Sequence, residues 1–138
     1  MALRRVWVSA FLLGLTACAR CYPGSAECPY VVFDDVEHAR SMGAFERGWL
    51  PEWLASEATE IHEFHDLDTN AQAITFSIES VEAFSWPKEC KPAITVKRPL
   101  LETEKFPQSV HKDKSVQECD GFFAIKEAGG LVHLWRIL

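Results

Sequence analysis

The chain has 138 residues, of which 48% are apolar, 12% aromatic and 25% charged. That balance is globular: too rich in Trp and Phe for a disordered chain, without a collagen or heptad repeat, and long enough for one domain. A formal charge of −6 argues against a general nucleic-acid binder, because phosphate contacts need a basic face.

The N-terminus reads as an export signal. Arg4 and Arg5 precede an apolar run from Val6 to Leu15, broken by Ser9 and Gly14. The run is too short for a membrane span, which needs about 20 residues, and it fits a secretory core. It ends in Leu15-Thr16-Ala17-Cys18, which resembles the lipobox of bacterial lipoproteins. The resemblance implies cleavage before Cys18, a thioether-linked diacylglyceryl group on its sulfur, and further acylation of the palmitate type. The expected organisation is a signal peptide over 1–17, a lipid-anchored tether over 18–30 and a single globular domain over 31–138. The paired arginines lack the rest of a twin-arginine motif, so the general secretory route is expected. Ala19 after the lipobox implies, by resemblance to enterobacterial sorting, an outer-membrane address facing the periplasm.

Cysteine parity agrees with that address. Five cysteines stand at 18, 21, 28, 90 and 119. Lipidation of Cys18 leaves an even set, which suits two disulfides in an oxidising compartment. Of three pairings, Cys21–Cys28 and Cys90–Cys119 are expected. The first closes a loop whose Pro23-Gly24 favours a turn. A zinc site through these cysteines has no Cys-x₂-Cys pair to rest on. Charge is unevenly spread: fourteen acids and three bases lie between Glu27 and Glu89, against six acids and eight bases from Cys90 onward. The acidic part is either a solvated surface or a face for a basic partner.

In chain order, Asp34 to Met42 is expected as a short helix, capped by Asp34 or Asp35, with Val36 and Ala39 inward and Gly43 at its end. Trp49 and Trp53, around Pro51, are expected to cover the core edge, with an exposed aromatic platform as the alternative. Residues 59–66 and 72–79 form a predicted hairpin around Asp68-Thr69-Asn70. On its second strand Ile74, Phe76 and Ile78 share one face, and Thr75 and Ser77 the other. Ser80 would cap a short helix through Phe84. Residues 87–117 hold four prolines and read as irregular, with one short strand near 94–97. A final hairpin runs from Cys119 to Lys126 and from Leu131 to Leu138, turning at Gly129-Gly130. The expected fold is α+β in two layers: about four antiparallel strands in two hairpins, with one or two short helices.

The stretch Gly48-Trp-Leu-Pro-Glu-Trp-Leu54, with Ser56-Glu-Ala58, Ile61, His65-Asp-Leu-Asp-Thr-Asn70 and Ile74-Thr-Phe76, resembles small exported bacterial proteins of unknown function of the YbbD head-domain type. The resemblance covers roughly 48–78. It implies a compact exported domain and brings no catalytic residues.

The densest polar cluster holds His62, Glu63, His65, Asp66, Asp68 and Asn70. Imidazole and carboxylate are metal-ligand types, so His62, His65, Asp66 and Asp68 are weak metal candidates. On a helix His62 and His65 share a face; on a strand they point apart, while Ile61, Glu63 and His65 point together. Asp66-x-Asp68-x-Asn70 begins like an EF-hand loop, but Ala71 and Ser77 stand where Gly and Glu are needed. A hairpin turn satisfied by its own side chains is the expectation. His38, His111 and His133 are isolated, and His133 is expected to be a partly exposed sheet residue. No Gly-x-Ser-x-Gly and no Gly-rich phosphate loop occurs. No catalytic residue and no cofactor is assigned. The expected function is a lipid-anchored envelope module that binds a protein partner or serves as an accessory. An inhibitor or immunity-type protein against a basic enzyme, and a small metal-dependent hydrolase, are the alternatives.

Overall fold

A computed structural model describes residues 21–101, 106, 109, 112 and 115–137. The expected signal peptide over 1–17, Cys18, Ala19 and His111 lie outside the described residues. No helix among the described residues is long and apolar enough to cross a membrane.

The elements are β1 (Tyr30–Asp35), α1 (Val36–Ser41), β2 (Thr59–His65), β3 (Gln72–Ser77), β4 (Lys91–Pro92), β5 (Gln117–Cys119), β6 (Phe122–Lys126) and β7 (Leu131–Arg136). They build one seven-stranded sheet in the order β1-β2-β3-β7-β6-β5-β4, with every pair antiparallel. This overturns the expected four-stranded α+β arrangement: the fold is mostly β. The two expected hairpins, β2–β3 and β6–β7, form the middle four strands and meet through β3 and β7. Three further strands extend the sheet. β1 occupies the stretch read as tether end and helix start, and only Phe33 on it is buried. β4 and β5 are two and three residues long, too short for a period to show in sequence.

Helical content shrinks correspondingly. Asp35 caps α1, accepting from the His38 N–H at 2.7 Å, and Ala39 is the residue that α1 buries. Residues 80–84 make only a turn, in which Ser80 Oγ accepts from the Ala83 N–H at 3.2 Å. The expected tether is itself tied to the sheet: Leu67 N–H donates to the Glu27 carbonyl at 2.8 Å, and His65 N–H to that of Pro29 at 3.2 Å.

The central strands β3 and β7 are covered on both faces. One face carries Phe33, Ile61, Ile74, Phe76, Val132 and Leu134 under Ala39, Phe45, Leu50, Leu54 and Phe84. The other carries Phe64, Ala73, Ile125 and Trp135 under Leu101, Phe106 and Val116. Trp135 is fully buried and its indole N–H donates to the Lys97 carbonyl at 2.8 Å. Such sites satisfy the polar tip of a large apolar ring. Disulfides join Cys21 to Cys28 and Cys90 to Cys119. The second closes 29 residues, worth about 3.5 kcal/mol in the chain-entropy description. At the β6–β7 turn Gly130 has φ +89°, and a Cβ there would collide with the carbonyl oxygen of Ile78, whose N–H bonds to Gly130. Only glycine meets both conditions.

Double coverage also corrects the expectation that His133 is partly exposed. Thr75 Oγ1 lies 3.0 Å from His133 Nδ1, and both side chains are buried. Burial pushes the His133 pKa below its ordinary value of 6.5, opposed by the Glu127 carboxylate 3.6 Å from Nε2. The unfolded chain therefore binds the proton more readily than the folded one. Stability from this residue is complete above 6.5 and is lost as pH falls through the window below it. Urea midpoints measured from neutral pH downward should fall more steeply for the parent chain than for His133→Gln; parallel profiles would contradict this burial.

Candidate functional site

The antiparallel register places three polar residues in one row. His65 on β2 faces Gln72 on β3, and Gln72 faces Arg136 on β7. Side chains alternate along a strand, so this row lies on the same face as Ile61, Ile74 and Leu134, at the end of the apolar layer. Glu63 stands one pleat inward, opposite Ile74.

Glu63 is fully buried. A carboxylate there needs donors, since its desolvation costs several kcal/mol. It has them: Gln72 Nε2 donates to Oε1 at 2.6 Å, and His65 Nδ1 lies 2.9 Å from both oxygens. An ionised carboxylate only accepts, so Nδ1 of His65 carries a proton and Nε2 is the free ring position. The Gln72 amide nitrogen also donates to the Trp49 carbonyl, which fixes the amide with Oε1 turned the other way.

Trp49 is delivered by the segment after α1. Gly48, at φ +70°, turns the chain, and Trp49 N–H bonds the Ala44 carbonyl at 2.9 Å. The half-buried Trp49 ring lies 5.3 Å from the His65 ring. Arg47 sits over the indole, with the guanidinium carbon 4.7 Å from the ring centroid. Arg136 packs 4.8 Å from the Phe122 ring, and its Nη2 reaches the Gly48 carbonyl at 3.4 Å. Burial pulls the Arg136 pKa down, while Glu63 and Asp120 pull it up; a guanidinium stays charged.

These groups line a pocket of about 170 Å³ bounded by Arg47, Trp49, His65, Gln72 and Arg136, with Leu67 and Asn70 at its edge. Three of its own residues hold a buried polar atom with no protein partner: His65 Nε2, Gln72 Oε1 and Arg136 Nε. Orphaned buried atoms are rare in native folds and ask for a reason.

Among the metal candidates, the structure does not bring the four together. His62 bonds Tyr30 Oη through Nδ1 at 2.6 Å, on the opposite face from His65. Asp66 folds back on the turn, accepting from the Asp68 N–H at 2.9 Å and from Thr69 Oγ1 at 2.8 Å. Slight burial raises the Asp66 pKa, but the bonds from Thr69 and the backbone outweigh it and hold it below the usual carboxylate value. Cys21, Cys28 and Asp66 offer ligand atoms within 4.8 Å of one another, but both sulfurs are spent in a disulfide. Trp49 and Trp53 do pack at the core edge, as expected, and Trp49 also walls the pocket.

Sequence reading placed Glu63 and His65 on the face of Ile61 without seeing their bond. A charged residue in phase with an apolar stripe was the available signal. Arg47, Gln72 and Arg136 carried none. Glu63→Ala, which strands Gln72 Nε2 and His65 Nδ1, should lower the unfolding free energy by about 3 kcal/mol in urea titration. Loss of less than about 1 kcal/mol would show that the carboxylate does not organise the site.

The family model for the YbbD head domain matches residues 29–77, the span from β1 through β3 that includes α1 and the Trp49 segment. No curated protein and no solved structure matches the chain. Over this span, under half of its length, the chain is similar to YbbD head domains, and Glu63, His65, Gln72 and Trp49 all fall inside it while Arg136 falls outside.

Proposed function

We propose that the chain is an exported binding domain, held to a bacterial membrane by lipid on Cys18 and facing the periplasm from the outer membrane. The observation that carries this reading is the use of sulfur. Cys21, Cys28, Cys90 and Cys119 are consumed in two disulfides, which persist in oxidising compartments. That leaves Cys18, at the end of Leu15-Thr16-Ala17-Cys18, as the fifth cysteine and the acyl acceptor. Each buried CH₂ of an acyl chain contributes ~0.8 kcal/mol, so two or more chains anchor stably.

Binding rather than catalysis is the role we assign. The pocket at the sheet end pairs cationic and amide groups with an indole wall. None of its lining side chains is a Ser, Cys or Thr nucleophile next to a base. A protein partner is part of the proposal. Of the fourteen acids between Glu27 and Glu89, Glu63 is buried and Asp66 half-buried, and the others are exposed, a surface suited to a basic partner.

Cys18→Ser expressed in a bacterial host tests the anchor by membrane fractionation and intact mass. Expected are release from the membrane fraction and loss of the acyl mass, or an unprocessed chain that keeps residues 1–17. Unchanged mass and unchanged membrane association would overturn the reading.

A further inference from the structure

We propose that the pocket bounded by Trp49, His65, Gln72 and Arg136 holds a terminal carboxylate with a neighbouring N–H, the group that ends a peptide or an N-acyl amino acid. The inference concerns this pocket alone and stands whether or not the chain carries lipid.

The orphaned atoms define the ligand. Arg136 Nε is a donor without an acceptor. Glu63 holds the Nδ1 proton of His65, so His65 Nε2 is an acceptor without a donor. Gln72 Oε1 is an acceptor without a donor. A guanidinium donor beside two acceptors suits a ligand that presents an anionic oxygen next to an N–H. A bare phosphate or sulfate would set oxygen against Gln72 Oε1. A cation would meet Arg47 and Arg136.

Charge agrees. No acidic side chain lines the pocket, and the carboxylate behind it, Glu63, is engaged by Gln72 and His65. Arg47, exposed at the rim, adds a second guanidinium within reach of an entering anion. Guanidinium is the side chain best matched to a carboxylate.

Size agrees as well. A pocket of about 170 Å³ is comparable to a cavity of ~150 Å³ that takes one benzene ring, room for one small residue. The ligand therefore enters by its end. Trp49 walls the pocket where a short apolar side chain would rest.

The test is titration of the purified full chain, in detergent, with acetyl-Ala-Ala-Ala, the same peptide amidated at its C-terminus, N-acetyl-alanine and sodium acetate, followed by calorimetry and by amide NMR shifts. The acid peptide should bind at least tenfold more tightly than the amide, and shifts should centre on Trp49, Gln72 and Arg136. Arg136→Gln should weaken acid binding about tenfold or more. Arg47→Gln, at an exposed position that leaves the core intact, should weaken it by a smaller factor. N-acetyl-alanine binding as tightly as the peptide identifies the free acid as the ligand source, and tighter peptide binding identifies a chain end. Equal binding of acid and amide, acetate binding as tightly as the peptide, or no binding of any probe at millimolar concentration would overturn the proposal.

Discussion

A carboxylate with no exposed surface sits near the end of the apolar layer, and its demand for donors arranges what surrounds it. Glu63 takes an amide proton from Gln72 and a ring proton from His65. Without them its burial would cost several kcal/mol. With them, β2 and β3 are pinned in register at the end of the apolar layer, because Gln72 faces His65 across the ladder. The same amide nitrogen captures the Trp49 carbonyl and so draws the segment after α1 onto the sheet. One carboxylate thus links β2, β3 and the segment after α1.

The central strands that carry this row, β3 and β7, are buried on both faces. Coverage of the second face depends on the stretch between β4 and β5, whose described residues Leu101, Phe106 and Val116 pack with Trp135. The Cys90–Cys119 disulfide fastens the start of that excursion to β5, limiting the entropy it can regain on opening. At the other end, the Cys21–Cys28 loop lies against the second apolar cluster, and Glu27 ties it to the β2–β3 turn.

Legibility in the sequence followed the strength of local signals. The β6–β7 hairpin was legible because Gly129-Gly130 and alternating apolar residues agree, and the β2–β3 hairpin because Asp66 to Asn70 carries turn chemistry. α1 was legible through its Asp35 cap and Ala39. β1 was not, since Val31-Val32-Phe33 is a short run ending in two aspartates that also cap a helix. β4 and β5 exist only because β6 offers a free edge, a tertiary fact absent from two or three residues. His133 reads as partly exposed because polar side chains usually mark a wet face. It is buried instead, against the Phe106 ring and with Nδ1 3.0 Å from Thr75 Oγ1. The pocket was half legible: Glu63 and His65 fell in phase with Ile61, while Arg136 reaches the row only through the pairing of β3 with β7.

That division has a structural counterpart. The segment similar to YbbD head domains supplies the carboxylate, the imidazole, the amide and the indole, and the remainder of the chain supplies one guanidinium. Everything claimed for the pocket requires His65 to keep a proton on Nδ1 and to leave Nε2 unclaimed by the protein. Long-range ¹H–¹⁵N correlation on labelled histidine reads that directly. The account predicts a protonated Nδ1 at neutral pH with slow proton exchange. A neutral His65 ring protonated on Nε2 alone, with a bare Nδ1, would contradict it.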